Sequence, residues 1–302
     1  MPQIVRVCGK EIRITGRLVR VGRLEADGFE FLEFPEPLLR SIRESDTRID
    51  LFTFIPRVSA TAPTHAYPFE WDNCAALPVS TFDHWWTQQI GFKARNKAKQ
   101  AAKKGVTLRE VPFDESLVKG IWEIYNECPI RQGRRFWHYG KDLARVYEEE
   151  ATFLDRSIFI GAFLDDKLIG FVKLVFDETH SQASTMNIIS MIAHRDKAPT
   201  NALIAQAVRS CANRGFKHLV YSHFAYVGKR ADGTTKFKET NGFQRVDLPR
   251  YFIPLTSLGW VAFRLGLHHR LVAHLPEPVA EKLRELRASW HRRRFQAVKE
   301  SA

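Results

Sequence analysis

The alternation of apolar and polar positions starts as short bursts of period two. Residues 11–20 and 29–34 predict strands, 50–55 a buried strand, and 36–44, opened by prolines, a short helix. A Pro-, Ser-, Thr- and Ala-rich stretch at 56–72 predicts a long surface loop. Thr81 is placed to cap a helix that runs to about Lys104 and ends at Gly105. A strand at 106–111 follows, then a helix at 115–126 capped by Asp114, a twelve-residue loop at 129–140 and a helix at 141–154.

The second half is more regular. Strands at 158–163 and 168–176 flank the turn Leu164-Asp165-Asp166-Lys167, which predicts a hairpin. An apolar strand at 183–193, a helix at 201–214, a buried strand at 217–224 and a short helix closed by Asn241-Gly242-Phe243 lead into a long strand at 244–254. Beyond Ser257 the pattern turns helical, at 259–268 and 277–298. The expected organisation is an α/β unit over 1–80, a main domain over 81–256 and a helical tail over 257–302.

Composition narrows the class of partner. The 302 residues are 44% hydrophobic, enough for a real interior, and carry 46 Lys and Arg against 34 Asp and Glu, a formal charge of +12. Such a balance favours phosphate- or carboxylate-bearing partners. Cys8, Cys74, Cys128 and Cys211 are far apart with no Cys-x-x-Cys pair, so neither a disulfide framework nor a metal is expected. The chain has no charged leader before an apolar core and no run of eighteen apolar residues. A cytoplasmic protein is expected, with peripheral contact to an anionic membrane surface as a further expectation.

Two stretches concentrate recognition chemistry. The helix from His84 to Lys104 lacks acids and carries Lys93, Arg95, Lys97, Lys99 and Lys103 in two basic stripes, which suits a polyanion such as tRNA. The loop at 131–140 offers Arg131, Arg134 and Arg135 to grip phosphate or carboxylate, with Trp137 and Tyr139 to stack on a sugar or base. These five are the candidate acceptor-binding residues. His138 and His194 are the candidate bases, because imidazole titrates nearest neutrality. The segment Gly228 to Thr235 has P-loop-like glycine spacing but no lysine after the second glycine, which argues against nucleotide hydrolysis.

The order hairpin, strand, helix, strand, short helix with Asn241-Gly242-Phe243 resembles the acyl-donor half of the GNAT acyltransferase superfamily. The resemblance implies an α+β fold: a GNAT-like mixed, mostly antiparallel sheet flanked by helices, with the amino-terminal unit as a partial second copy and the tail as a helical appendage. It implies acyl transfer to an amine or hydroxyl, a tyrosine acid at Tyr226 with Tyr221 and His223 as alternatives, and a donor site at Arg195, Lys197, Thr200 and Asn201. The usual glycine-containing pyrophosphate loop is absent between His194 and Asn201. With the basic helix and the amino-terminal α/β unit, this is similar to the Fem-type aminoacyl transferases and related cell-envelope acyltransferases. That branch leaves acyl-coenzyme A and aminoacyl-tRNA both open as donors, and an anionic small molecule or envelope precursor as acceptor. Alternatives are a noncatalytic tRNA- or RNA-binding module on the same fold and a membrane-surface accessory protein of polysaccharide assembly.

Overall fold

A computed structural model describes residues 3–131, 134–225 and 233–269. Its amino-terminal unit contains strands β1 (Gln3–Val7), β2 (Lys10–Thr15), β3 (Val21–Leu24) and β4 (Leu51–Phe54), with helix α1 (Glu36–Glu44). Strand β5 (Phe69–Pro78) leads to a short helix α2 (Phe82–His84), a π-helical turn at Trp85–Gln89 and helix α3 (Phe92–Lys103). Then come β6 (Thr107–Val111), α4 (Glu115–Asn126), the small hairpin β7 (Ile130–Arg131) and β8 (Arg134–Arg135), and α5 (Leu143–Glu150). The last part holds β9 (Ser157–Leu164), β10 (Lys167–Phe176), β11 (Gln182–Ser190), α6 (Pro199–Asn213), β12 (His218–Val220), α7 (Gly233–Thr240), β13 (Gln244–Pro254) and α8 (Ser257–Arg264).

Eleven of these strands form one sheet in the order β1-β2-β3-β4-β13-β5-β12-β11-β10-β9-β6. Two neighbour pairs are parallel, β3 with β4 and β11 with β12, and the rest are antiparallel. The expected mixed, mostly antiparallel GNAT-like sheet flanked by helices is therefore the observed one. The long strand β13 lies between β4 and β5, so β1–β4 and the later strands share one hydrogen-bonded ladder.

Local signals explain most of the elements. Asp114 accepts a hydrogen bond from the Leu117 amide at 2.8 Å and opens α4, and Thr81 accepts from the His84 amide at 3.1 Å. Asp165 and Asp166, both at positive φ, make the tight turn between β9 and β10. Gly242 closes α7 at φ +88°, and a Cβ there would lie 3.1 Å from the Gln89 carbonyl oxygen, so the position requires glycine. Next to it, Asn241 is fully buried, and its carbonyl accepts from the Trp85 indole at 2.9 Å.

Four expectations need correction. The helix expected from Thr81 to Lys104 breaks at Ile90 and Gly91, where Gly91 donates its amide to the Thr240 carbonyl at 2.8 Å. Residues 29–34 are not a strand, because the chain there crosses towards β11: Gly28 O accepts from Ser184 Oγ at 3.3 Å and Phe29 O from Arg156 at 3.1 Å. The loop assigned to 56–72 ends in the first residues of β5. Of the tail, α8 is shorter than expected, and the helix expected at 277–298 lies outside the described residues.

Two larger apolar clusters fill the interior. One packs α3, α4 and α6 against the sheet around Phe171, Leu203 and Leu219; the other packs α1 against β4 and β13 around Leu39, Phe52 and Tyr251. A third, small cluster of Ile55, Val58, Cys74, Ala76, Val220 and Leu248 lies between them. No helix among the described residues is long and apolar enough to cross a membrane.

Candidate active site

Strands β11 and β12 run parallel for three residue pairs, Gln182–His218, Ala183–Leu219 and Ser184–Val220. Beyond Ser184 strand β11 continues to Ser190 without β12, still paired with β10. The β10 partner jumps from Asn187 to Thr185, which leaves Met186 as the extra residue of a bulge and bends β11 where the two strands part. Ser222, just past β12, sits in the left-handed region at φ 44°, uncommon for a residue with a side chain. His223 follows immediately.

A cavity of about 360 Å³ opens at this parting point. Ser184, Thr185 and Met186 of β11, Val220 and His223 beside β12, Asn73 of β5, Arg250 of β13, and Asp27 and Phe29 of the crossing segment line it. The loop after β4 forms another wall, held by Arg57 Nε donating to Asp177 at 2.8 Å and by Gln182 accepting from the Val58 amide at 2.9 Å.

Four charged groups, far apart in sequence, form a chain here. Arg250 donates to Asp72 and Asp27, each at 2.9 Å, and Asp72 lies 3.3 Å from His223 Nδ1. Burial alone would raise the Asp72 carboxyl, but the hydrogen bond to His223 and the Arg250 charge outweigh it and hold Asp72 well below the usual carboxylate range. Asp72 in turn raises His223 above its ordinary value. Burial works against the Arg250 charge, yet Asp27 and Asp72 keep its pKa raised. Because Nδ1 faces Asp72 and the Asn73 carbonyl at 3.1 Å, the neutral ring carries its basic lone pair on Nε2. Asp27 Oδ1 is buried and has no hydrogen-bond partner.

The loop at 129–140 behaves differently from its sequence reading. Arg131 donates to Ser190 O at 2.7 Å, Ile124 O at 2.9 Å and Glu127 at 3.1 Å, so its guanidinium ties the loop to α4 and the end of β11 rather than facing an acceptor. His138 is buried between Tyr125 and Trp137, with ring centroids 3.9 and 3.7 Å away. Burial, then Lys141 and Arg131, push it down to about 3, so it is neutral but not the near-neutral base expected. Arg134, Arg135, Trp137 and Tyr139 are exposed. Below this loop, Glu150 accepts from Tyr125 Oη at 2.7 Å and from Asn187 at 2.8 Å. Lys173, fully buried and lowered to about 8 by burial, donates to the carbonyls of Glu150 and Thr152 at 2.7 and 2.6 Å.

The donor residues lie where β11 turns into α6. His194, Arg195 and Lys197 are in a short turn at Ile192–Lys197. Glu127 accepts from the Ile192 and Ala193 amides at 2.7 and 2.8 Å, so a carboxylate of the chain itself occupies the leading N–H groups of that turn. At the start of α6, Pro199 has no N–H to offer. Thr200 Oγ1 pairs with Ser190 Oγ at 2.8 Å, and the buried Asn201 turns inward to Asn241 at 3.4 Å, so neither presents its side chain as expected. Arg195 is exposed, Lys197 is half-buried beside Asp196, and His194 is half-buried with an unpartnered Nδ1. Tyr226 lies outside the described residues.

Helix α3 buries Ala94, Ala98 and Ala101 and exposes Lys93, Lys97, Lys99 and Lys103. Arg95 departs from the basic stripe, donating to the Thr87 and Ile90 carbonyls at 3.3 and 3.2 Å. The helix end docks on the donor turn, Lys104 and Gln100 each donating to Asp196 O at 3.1 Å. The structure thus joins the basic helix, the donor turn and, through Glu127, the Arg131 loop.

No protein-family model matches the chain, and no curated protein matches it by sequence. Among solved structures, FemX is similar at 11% identity over 88% of this chain and 90% of its own, with a TM-score of 0.59. The C-terminal domain (DUF2156) of a protein designated lysylphosphatidylglycerol synthetase, from Agrobacterium fabrum, is 13% identical over 87% of each chain, with a TM-score of 0.54. L-PGS from Bacillus licheniformis is 13% identical over 87% of this chain and 88% of its own, also at 0.54. At these identities the likeness speaks for the fold, which is GNAT-like in the divergent form shared with FemX.

Proposed function

We propose that the protein is a transferase that moves an aminoacyl group from tRNA to an amine or hydroxyl of an acceptor with anionic character. The observation that carries this reading is His223, which lines the cavity where β11 leaves β12 and is paired with Asp72. In the proposed step the acceptor nucleophile attacks the ester carbonyl and gives its proton to His223 Nε2, while Asp72 steadies the imidazolium. The ester bond then breaks, and the departing tRNA hydroxyl oxygen takes the proton back.

Two features favour an aminoacyl donor over acyl-coenzyme A. Glu127 fills the amide groups that would otherwise meet a pyrophosphate. Asp27 Oδ1, buried and unpartnered at the cavity, suits the ammonium of an aminoacyl group. The exposed lysines of α3, with Arg195, supply the surface for the tRNA backbone, and Arg134, Arg135, Trp137 and Tyr139 the outer surface for the acceptor. A phosphate-bearing acceptor is supported by the name of one structural neighbour, which joins lysyl to phosphatidylglycerol.

The test is thermal stability against acetyl-coenzyme A, longer acyl-coenzyme A species, uncharged tRNA and aminoacyl-tRNA, since a ligand selective for the folded state raises the midpoint. The reading expects the largest rise with aminoacyl-tRNA and hydrolysis or transfer of its ester. A rise with acyl-coenzyme A alone sinks it. Equal binding of charged and uncharged tRNA with no loss of the ester would favour the noncatalytic RNA-binding module, for which the lysine face of α3 is the specific support.

A further inference from the structure

Glu70 of β5 meets the turn that follows α8. Its Oε1 lies 3.0 Å from His268 Nε2, and its Oε2 lies 3.2 Å from His269 Nε2. One ligand atom from each of the three residues falls within 4.8 Å of the others. Zinc binds imidazole nitrogen at about 2.0–2.1 Å and carboxylate oxygen at about 2.0–2.2 Å, so neighbouring donors in a tetrahedral shell stand about 3.3 Å apart. The Glu70–histidine spacings are within a few tenths of an ångström of that value.

The surroundings hold this arrangement in place. The His268 side chain is 1% exposed and packs against Phe252 and Phe263, with ring centroids 4.6 and 5.3 Å away. The His269 ring lies 4.0 Å from it and reaches the surface. On the sheet side, Glu70 is the cross-strand partner of Arg250 and precedes Asp72 by two residues. It therefore shares the face of the cavity, about 7 Å along the strand from Asp72.

We propose that Glu70, His268 and His269 form a site for one divalent transition metal of the zinc class. Two imidazoles and one carboxylate suit such a borderline ion, whereas magnesium and calcium favour all-oxygen shells and copper(I) favours thiolates. The metal would fasten the end of α8 to β5 beside the cavity. Sequence spacing gives no sign of this, because two adjacent histidines and a glutamate almost two hundred residues away match no ligand motif.

The experiment uses the full chain, stripped with a chelator and titrated with cobalt(II) followed by zinc(II). One equivalent of cobalt should bind with the visible absorption of a low-coordinate nitrogen and oxygen site, and zinc should abolish that absorption. His269→Ala, at an exposed position that leaves the packed His268 ring in place, should weaken cobalt binding by at least about a hundredfold, beyond the usual effect of removing an outer-shell partner. Glu70→Gln should do the same, while Cys8→Ser and His218→Ala should bind as the parent does. Circular dichroism of each variant separates loss of the site from loss of the fold. Failure of the parent to bind cobalt, or equal binding by the parent and folded His269→Ala, overturns the proposal.

Discussion

Arg131 and Arg250 are both half-buried guanidiniums with several partners, yet they do different things. Arg131 gives its protons to two backbone carbonyls and Glu127, and so closes a loop onto the scaffold. Arg250 gives its protons to Asp27, which lines a cavity, and to Asp72, which tunes a histidine of that cavity. An arginine satisfied by backbone oxygens positions the chain, whereas one satisfied by side-chain charges fixes the electrostatics of a site. Within the cluster of arginines and aromatics that looks functional in sequence, Arg131 is of the first kind, while Arg134 and Arg135 stay exposed.

The sharpest way to break this comparison is to remove each arginine in turn. Arg250→Ala leaves Asp27 and Asp72 without their cation and should cost about 3–5 kcal/mol in urea unfolding. Arg131→Ala removes charged hydrogen bonds but strands no buried charge pair, and should cost about 1.5–3 kcal/mol. A larger loss at Arg131 would reverse the ranking. At the level of chemistry, His223→Gln should lower kcat for aminoacyl transfer by about 10²–10⁴-fold, as loss of a general base does. Arg134→Ala and Trp137→Ala should instead raise KM for the acceptor with kcat nearly intact. Unchanged kcat in folded His223→Gln would remove the cavity from the mechanism.

The two regions should also differ in the sign of their pH dependence. His223 is raised in the folded protein, so its contribution is complete below the unfolded value of about 6.5 and is lost as pH rises through the higher folded value. His138 is lowered to about 3, so its contribution is complete above about 6.5 and is lost as pH falls towards 3. Urea midpoints across that range should therefore lose an alkaline fall in His223→Gln and part of an acidic fall in His138→Gln. The same slope in both variants would show that the two environments are not distinct. The smallest effect on folding belongs to α3: Lys93, Lys97, Lys99 and Lys103 changed singly to Ala should each move stability by less than about 0.5 kcal/mol. Each should also flatten the salt dependence of tRNA binding by roughly one unit of slope if it meets a phosphate.

Much of the scaffold is readable in the sequence because its signals are local. Helices α1 and α4 and strand β13 fall where periodicity and capping residues put them. Strand β5 was missed for a physical reason. Its cavity-side positions hold Glu70 and Asp72 where a buried strand would show apolar residues, so the functional groups erase the pattern that would reveal the strand. The site itself is assembled from Asp27, Asp72, His223 and Arg250, brought together by strand pairing across the whole chain. Among these, only His223 appears in the sequence reading, as an alternative to Tyr226. The rest had no motif to announce them.

The position of β13 also sets the order in which the molecule can be finished. Strands β4 and β5 leave the ribosome on the order of ten seconds or more before β13, at ordinary rates of synthesis. Until β13 arrives, each of the two lacks a neighbour on one side, and open strand edges template pairing with other chains. A nascent chain that has not reached Gln244 should therefore engage chaperones through those two edges and release them when β13 docks.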